Sequence, residues 1–306
     1  MDFKTTAVSV LIMMVYALPG FILIKTKAIN PDGISYFAKV LLFVFQPCLS
    51  LYSFNKADYT PQLLANMGIV FGVAIGVQAL IITVLWLCFK NKFDDVNVRV
   101  ASVAAAFGNV GFFGVPLLER LLPENPDALA YSATFIVSLN LMAWTLGCFV
   151  LTKDKNFLKV KKLFLNPPVL TLLIALPLFL TNTKLPTEIG GIVTVLGKMT
   201  TPMCMLILGM RLATVSFKQL FGDWHTYLSS AVKLVVLPFV TLGISKLIGL
   251  TDDVTSAFFI LACCPSATVV LNLAEMFGSG QKAAANCILM STLLCMITIP
   301  LMLLVL

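Results

Sequence analysis

Apolar runs of about 20 residues recur along the chain at intervals of roughly 30 residues, with short polar breaks between them, which is the length a helix needs to cross a bilayer. Ten runs are legible, at 7–24, 35–54, 62–89, 98–119, 128–151, 163–181, 190–213, 225–248, 253–277 and 282–305. The runs are continuous rather than alternating, so they predict helices, which satisfy their backbone groups internally as lipid requires. The first run, Ala7 to Ile24, is longer than the apolar part of a signal peptide and has no small-x-small site after it. It is expected to be a retained span.

Composition narrows the class. Of 306 residues, 59% are hydrophobic and 11% charged, and the mean hydropathy is +0.98. A soluble domain carries roughly 25% charged residues, and no stretch here is long and polar enough to form one. The predicted class is an all-α polytopic membrane protein. The eight cysteines fall mostly inside apolar runs without a C-x-x-C pair, and His225 is the only histidine. They predict small buried hydrophobes and offer no metal site, cofactor site or catalytic triad.

The net charge of +7 is a topology signal. Thirteen lysines and arginines fall in the loops after odd-numbered runs, and four lie on the other side. By the positive-inside rule, both termini are expected outside the cytoplasm and the basic loop at 153–162 inside. A nucleic-acid partner is not needed to explain the charge.

That loop divides the runs into five and five, giving residues 1–152 and 163–306. Weak landmarks repeat between the halves. Asp94-Asp95-Val96 precedes run four and Asp252-Asp253-Val254 precedes run nine. Gln46-Pro47 and Thr201-Pro202 lie within runs two and seven, and Leu117-Leu118-Glu119 matches Leu273-Ala274-Glu275. An odd number of spans per half makes the second copy enter from the opposite side, so the repeats would be inverted, as in many carriers.

Runs four and nine are both interrupted. Run four contains Phe107-Gly108-Asn109-Val110-Gly111-Phe112-Phe113-Gly114-Val115-Pro116, and run nine contains Cys263-Cys264-Pro265-Ser266-Ala267-Thr268 followed by Asn272. Proline and repeated glycine disfavour continuous helix, and non-helical backbone at that depth needs protein or a watery cavity around it. The alternative is a pair of simple proline kinks. Unwound segments would leave half-helix N-termini that attract anions. Asn109, Gly111, Ser266, Thr268 and Asn272 would supply hydrogen bonds there, with Gln46 and Thr201 facing the same place or gluing helices together. No acid is embedded mid-membrane, whereas Lys198 and Lys233 lie well inside runs seven and eight. Each lysine is either a charge partner for an anion or snorkels to the interface.

Gly108-Asn109-Val110-Gly111-Phe112-Phe113-Gly114-Val115-Pro116-Leu117 resembles the G-N-x-G-[FY]-x-G-x-P-L segment of the auxin efflux carrier family, which includes the plant auxin exporters and many bacterial permeases. The resemblance extends to length, ten spans and a short loop between the halves. It implies a fold like that of the bile acid:Na⁺ symporters and Na⁺/H⁺ antiporters. Runs 1, 2, 6 and 7 would form a scaffold that also mediates homodimer contacts, and runs 3–5 and 8–10 a moving transport domain. Runs four and nine would cross at Pro116 and Pro265, with Asn109 holding a substrate carboxylate beside the crossover. The implied function is carriage of a small organic anion, such as indole-3-acetate, malate or malonate, across the cell membrane. The run-nine segment departs from the family pattern. The competing classes are a sensor that kept the carrier fold, which a fused soluble domain would support, and an enzyme, which would need a nucleophile or metal constellation.

Overall fold

A computed structural model describes residues 3–125, 127–158 and 167–306. Lys159, Lys161 and Lys162 of the basic loop lie outside the described residues. The described chain is helical, without strands. Seven helices are long and apolar enough to cross a membrane. They are α1 (Lys4–Lys25), α2 (Pro31–Lys56), α3 (Pro61–Cys88), α6 (Ala128–Thr152), α8 (Thr187–Thr214), α9 (Trp224–Leu247) and α12 (Gln281–Val305). A shorter apolar helix, α7, runs Pro167–Leu180. Two further stretches are interrupted. Helices α4 (Val96–Ala106) and α5 (Val115–Leu121) flank one break, and α10 (Asp252–Cys263) and α11 (Val269–Met276) flank the other. The protein is thus an all-helical polytopic membrane protein.

Local chemistry explains the irregularities. Three of the four wide π turns among the described residues, Leu41–Phe45, Val110–Gly114 and Val232–Val236, each end two residues before a proline, at Pro47, Pro116 and Pro238, whereas Ala143–Gly147 has none after it. Proline has no N–H for the carbonyl four residues back, and a wider turn lets the ladder slip past it. Helix starts are capped by side chains. Thr60 accepts from the Leu63 N–H at 3.0 Å, and Asp95 from the Asn97 N–H at 2.8 Å.

The helices form one packed bundle, in which α1 also packs on α12 and α2 on α6. Helix α8 packs on α1 and α2, and α7 on α2. Helix α3 packs on α4 and α6, α9 on α4, α10 and α12, and α12 on α4. The tightest approach is between α1 and α8. A Cβ on Gly20 would lie 1.9 Å from the Leu206 carbonyl oxygen, and one on Gly209 would lie 1.8 Å from that of Ala17. Small residues let membrane helices come this close, and dispersion and backbone contacts then hold them where no hydrophobic force acts between helices.

Outward faces remain apolar. Leu11, Leu18, Ile22, Leu87, Ile192 and Val195 are exposed, as lipid-facing positions should be. At one end of the bundle the loops are tied by charge and rings. Lys153 pairs with Asp94 and by hydrogen bond and charge holds that loop carboxyl below its usual range. Phe157 meets Phe277 edge-on at 5.2 Å, and Phe89 lies 5.8 Å from Trp224.

Candidate functional site

The two breaks meet in the interior. The Asn109 N–H donates to the Pro265 carbonyl at 2.7 Å, and the Ala267 N–H donates to the Phe107 carbonyl at 2.8 Å. Gly108 and Ser266 form an isolated antiparallel bridge between them. Backbone groups released by each break are therefore satisfied by the other, which is how non-helical chain survives at this depth. In the first break the chain leaves helical form at Phe107–Asn109, not at Pro116. Pro116 lies just beyond the wide turn Val110–Gly114, which runs on into α5, so its missing N–H leaves a carbonyl to be served from elsewhere.

The carbonyl that Pro116 leaves without its helical donor is that of Phe112, and the Thr201 hydroxyl donates to it at 2.9 Å. Ser132 does the same for Val110 at 3.0 Å, and Thr200 for Phe45 at 3.1 Å. Thr201 thus stitches α8 to the break. Thr201→Val should lower stability by about 1–3 kcal/mol, the usual cost of a buried acceptor left unpaired, while Thr201→Ser should hold it. Thermal unfolding of both variants in detergent checks this.

Lys233 lies behind the paired breaks. It is 1% exposed, so it does not snorkel. Its Nζ donates to the Ala262 carbonyl at 2.6 Å, and a Cβ on Gly108 would come within 3.1 Å of that nitrogen. Ala262 is in the last turn of α10, and the Ser266 N–H that would have served its carbonyl bonds instead to Ser291 Oγ at 3.0 Å. Helices α4 and α10 both present C-terminal ends here, and a cation offsets their negative dipole ends.

In front of the breaks lies a cavity of about 100 Å³, several times what one water needs. Five expected residues line it: Gln46, Asn109, Gly111, Thr268 and Asn272. Asn109 is anchored only weakly, its amide lying 3.9 Å from the Cys204 sulfur. Gln46, Thr268 and Asn272 make no side-chain hydrogen bond to the described residues, so their polar groups remain available. The cavity is mostly apolar elsewhere, with Leu41, Phe112, Ile136 and Leu208 on its walls.

The other expected residues are not brought to this cavity. Pro265 and Ser266 build the wall behind it, and Ser266 Oγ is buried without a partner among the described residues. Pro116 and Thr201 line a separate recess with Lys198. There Tyr52 donates to Glu119 at 2.6 Å, and the Lys198 ammonium lies 5.8 Å from the centre of the Tyr52 ring. Sequence reasoning also missed three cavity residues: Asn140, Trp144 and Arg211. Asn140 had a signal, a polar amide inside an apolar run. Arg211 had none, because the sequence does not say which face of its helix meets the cavity.

An all-helical membrane protein with paired helix breaks and an interior cavity carrying unpaired polar groups has the make-up of a membrane transporter. The comparison with known families agrees: residues 5–303 match the membrane transport protein family, whose members are auxin efflux carrier-like. The chain belongs to that family. It is also 26% identical, over 98% of both chains, to an uncharacterized transporter of Methanothermobacter thermautotrophicus.

Proposed function

We propose that the protein is a secondary carrier that moves a small organic anion, auxin-like or a mono- or dicarboxylate, across the cell membrane by elevator-type alternating access. In this reading the chain is ten spans in two inverted five-helix repeats, 1–152 and 163–306, joined by the basic loop on the cytoplasmic side, with both termini outside. The group α1, α2, α7 and α8 is the scaffold and the surface for homodimerisation. The remaining helices are the transport domain, within which the two interrupted stretches cross. The close packing of α8 on α1 and α2, and of α7 on α2, supports the scaffold half of this division.

The observation that carries the reading is the cavity at the interface of the two groups, with Asn109, Thr268 and Asn272 on one side and Gln46 and Arg211 on the other. The start of α11 lies at this cavity, and helix N-termini favour anions. Arg211 is the only charged side chain lining it among the described residues, and its sign selects an anion. The substrate lies in this cavity against Asn109 and the Gly111 backbone, and its body rests on the apolar walls.

The test is current from purified protein in proteoliposomes on a solid-supported membrane. Mono- and dicarboxylates should evoke current or binding, and choline should not. Asn109→Ala should reduce the response about tenfold or more, the scale of losing a buried polar contact to a charged ligand, with folded yield unchanged. Wild-type affinity in that variant would remove Asn109 from the site, and a response to choline instead of carboxylates would overturn the anion assignment.

A further inference from the structure

We infer that Arg211 is the charged contact for the substrate's acidic group, and that Glu275 occupies it in the empty carrier. Anion binding and opening of the ion pair between α8 and α11 are then one event. This rests on the anion reading above and adds which side chain reads the charge and what it lets go.

The placement comes from α8. Cys204, Ile207, Leu208 and Arg211 follow one another down the face of this helix that lines the cavity. Cys204 touches the Asn109 amide. Arg211 lies about 10 Å further along the axis at the standard rise per residue, and helical side chains lean toward the N-terminus, here toward Asn109. The cavity therefore has a neutral amide at one end and a guanidinium at the other.

The guanidinium is only partly used. Its Nη2 donates to Glu275 Oε1 at 2.6 Å, while its Nε is shielded from water and has no acceptor among the described residues. A guanidinium presents five donors in a fork that suits a carboxylate twice over. Glu275 takes one of them, from a position outside the cavity lining. The pair is half-exposed, with side chains 24% and 37% accessible, so Glu275 can return to water at small cost. An incoming carboxylate keeps Arg211 neutralised and can use donors that Glu275 leaves idle.

The exchange has a mechanical consequence. Glu275 follows Thr268 and Asn272 on α11, three residues beyond the second. The pair thus ties α8 of the proposed scaffold to the cavity-lining half-helix of the proposed transport domain. Replacing Glu275 with a diffusible anion releases that tie, so the empty carrier is held and the loaded one is free to move. A purely structural clamp would have the same geometry, but the two ideas differ in sign. If Glu275 competes with substrate, removing it tightens binding. If it merely braces the fold, removing either partner weakens the protein and leaves affinity alone.

The experiment titrates full-length protein in nanodiscs with benzoate, indole-3-acetate, malonate and succinate, using benzamide as the neutral control, and records melting temperature in parallel. For whichever carboxylate the wild type takes, Glu275→Gln should raise affinity about three- to tenfold, and Arg211→Gln should lower it about tenfold or more. Arg211→Lys, which keeps the charge but loses the fork, should fall between. Shifts of the same sign in Glu275→Gln and Arg211→Gln, or unchanged affinity with lowered melting temperatures, would overturn the exchange while leaving the anion carrier intact. Should Arg211→Gln not fold, unchanged affinity in Glu275→Gln overturns it alone. Equal binding of benzamide and benzoate by the wild type would instead remove the anion reading and this assignment with it.

Discussion

Replacing Gly209 with alanine should leave little correctly folded protein. The added Cβ would lie 1.8 Å from the Ala17 carbonyl oxygen and 3.0 Å from the Phe21 nitrogen. These are backbone atoms of α1, so no side-chain rotamer can make room, and α1 must lift away from α8. Overpacking a core costs typically ~1–3 kcal/mol when side chains can shift, and this site should reach or exceed the upper end. Gly20→Ala, which would press on the Leu206 carbonyl at 1.9 Å, should behave alike. Gly72, whose Cβ would meet nothing within 4 Å, is the control, and Gly72→Ala should be silent. Monodisperse yield on size exclusion, followed by thermal melting of whatever folds, measures all three. A Gly209→Ala protein as stable as Gly72→Ala would mean that α1 and α8 are not held together at this point.

Lys233 should show the opposite combination, lost function with stability retained. Its ammonium is buried, and no acidic side chain pairs with it among the described residues. Burying an ion costs several kcal/mol after relaxation. The Ala262 hydrogen bond returns about 1.5–3 kcal/mol as a charge-assisted contact, and the helix ends up to ~2. The two sides nearly cancel, so Lys233→Met should melt at or above the wild-type temperature. Transport should nevertheless fall about tenfold or more, because an intramembrane charge kept at no gain in stability marks a functional requirement. Here it holds the C-terminal end of α10 against Gly108 and so sets the wall behind Asn109. Lys233→Arg should not rescue, since Gly108 leaves no room for a larger head group. Transport at the wild-type rate in Lys233→Met would show that the paired breaks keep their shape unaided. A loss of stability as large as the loss of transport would make the lysine structural.

Both cases bear on how the Arg211–Glu275 pair should be read. Lys233 is sealed between helix ends and has one fixed acceptor. Arg211 is half-exposed, borders the cavity and leaves a donor unpaired. A buried cation with one partner sets geometry, and a partly wet one with spare donors can change partners. Lys198 and Lys233 are the candidate charge partners that the sequence offers. In the structure Arg211 is the cation that lines the cavity.

The positions of the apolar runs, the two interrupted stretches, and the amides Asn109 and Asn272 near them were all legible in the amino-acid sequence. Each depends on local facts: a bilayer demands a certain length of apolar helix, and glycine and proline act on the turns nearest to them. Even the displacement of the first break from Pro116 to Phe107–Asn109 has a local cause, since the wide turn Val110–Gly114 carries the helix past the proline. What the tertiary structure decided was partnership. That Thr201 serves the Phe112 carbonyl instead of a ligand, that Lys233 turns inward to Ala262, and that Arg211 meets Glu275 beside the cavity depend on helix rotation about its axis and on neighbours 29 to 89 residues away. Hydrogen bonds act over about 3 Å, and along a chain of nearly uniform apolarity nothing local says which distant polar group will come within that reach.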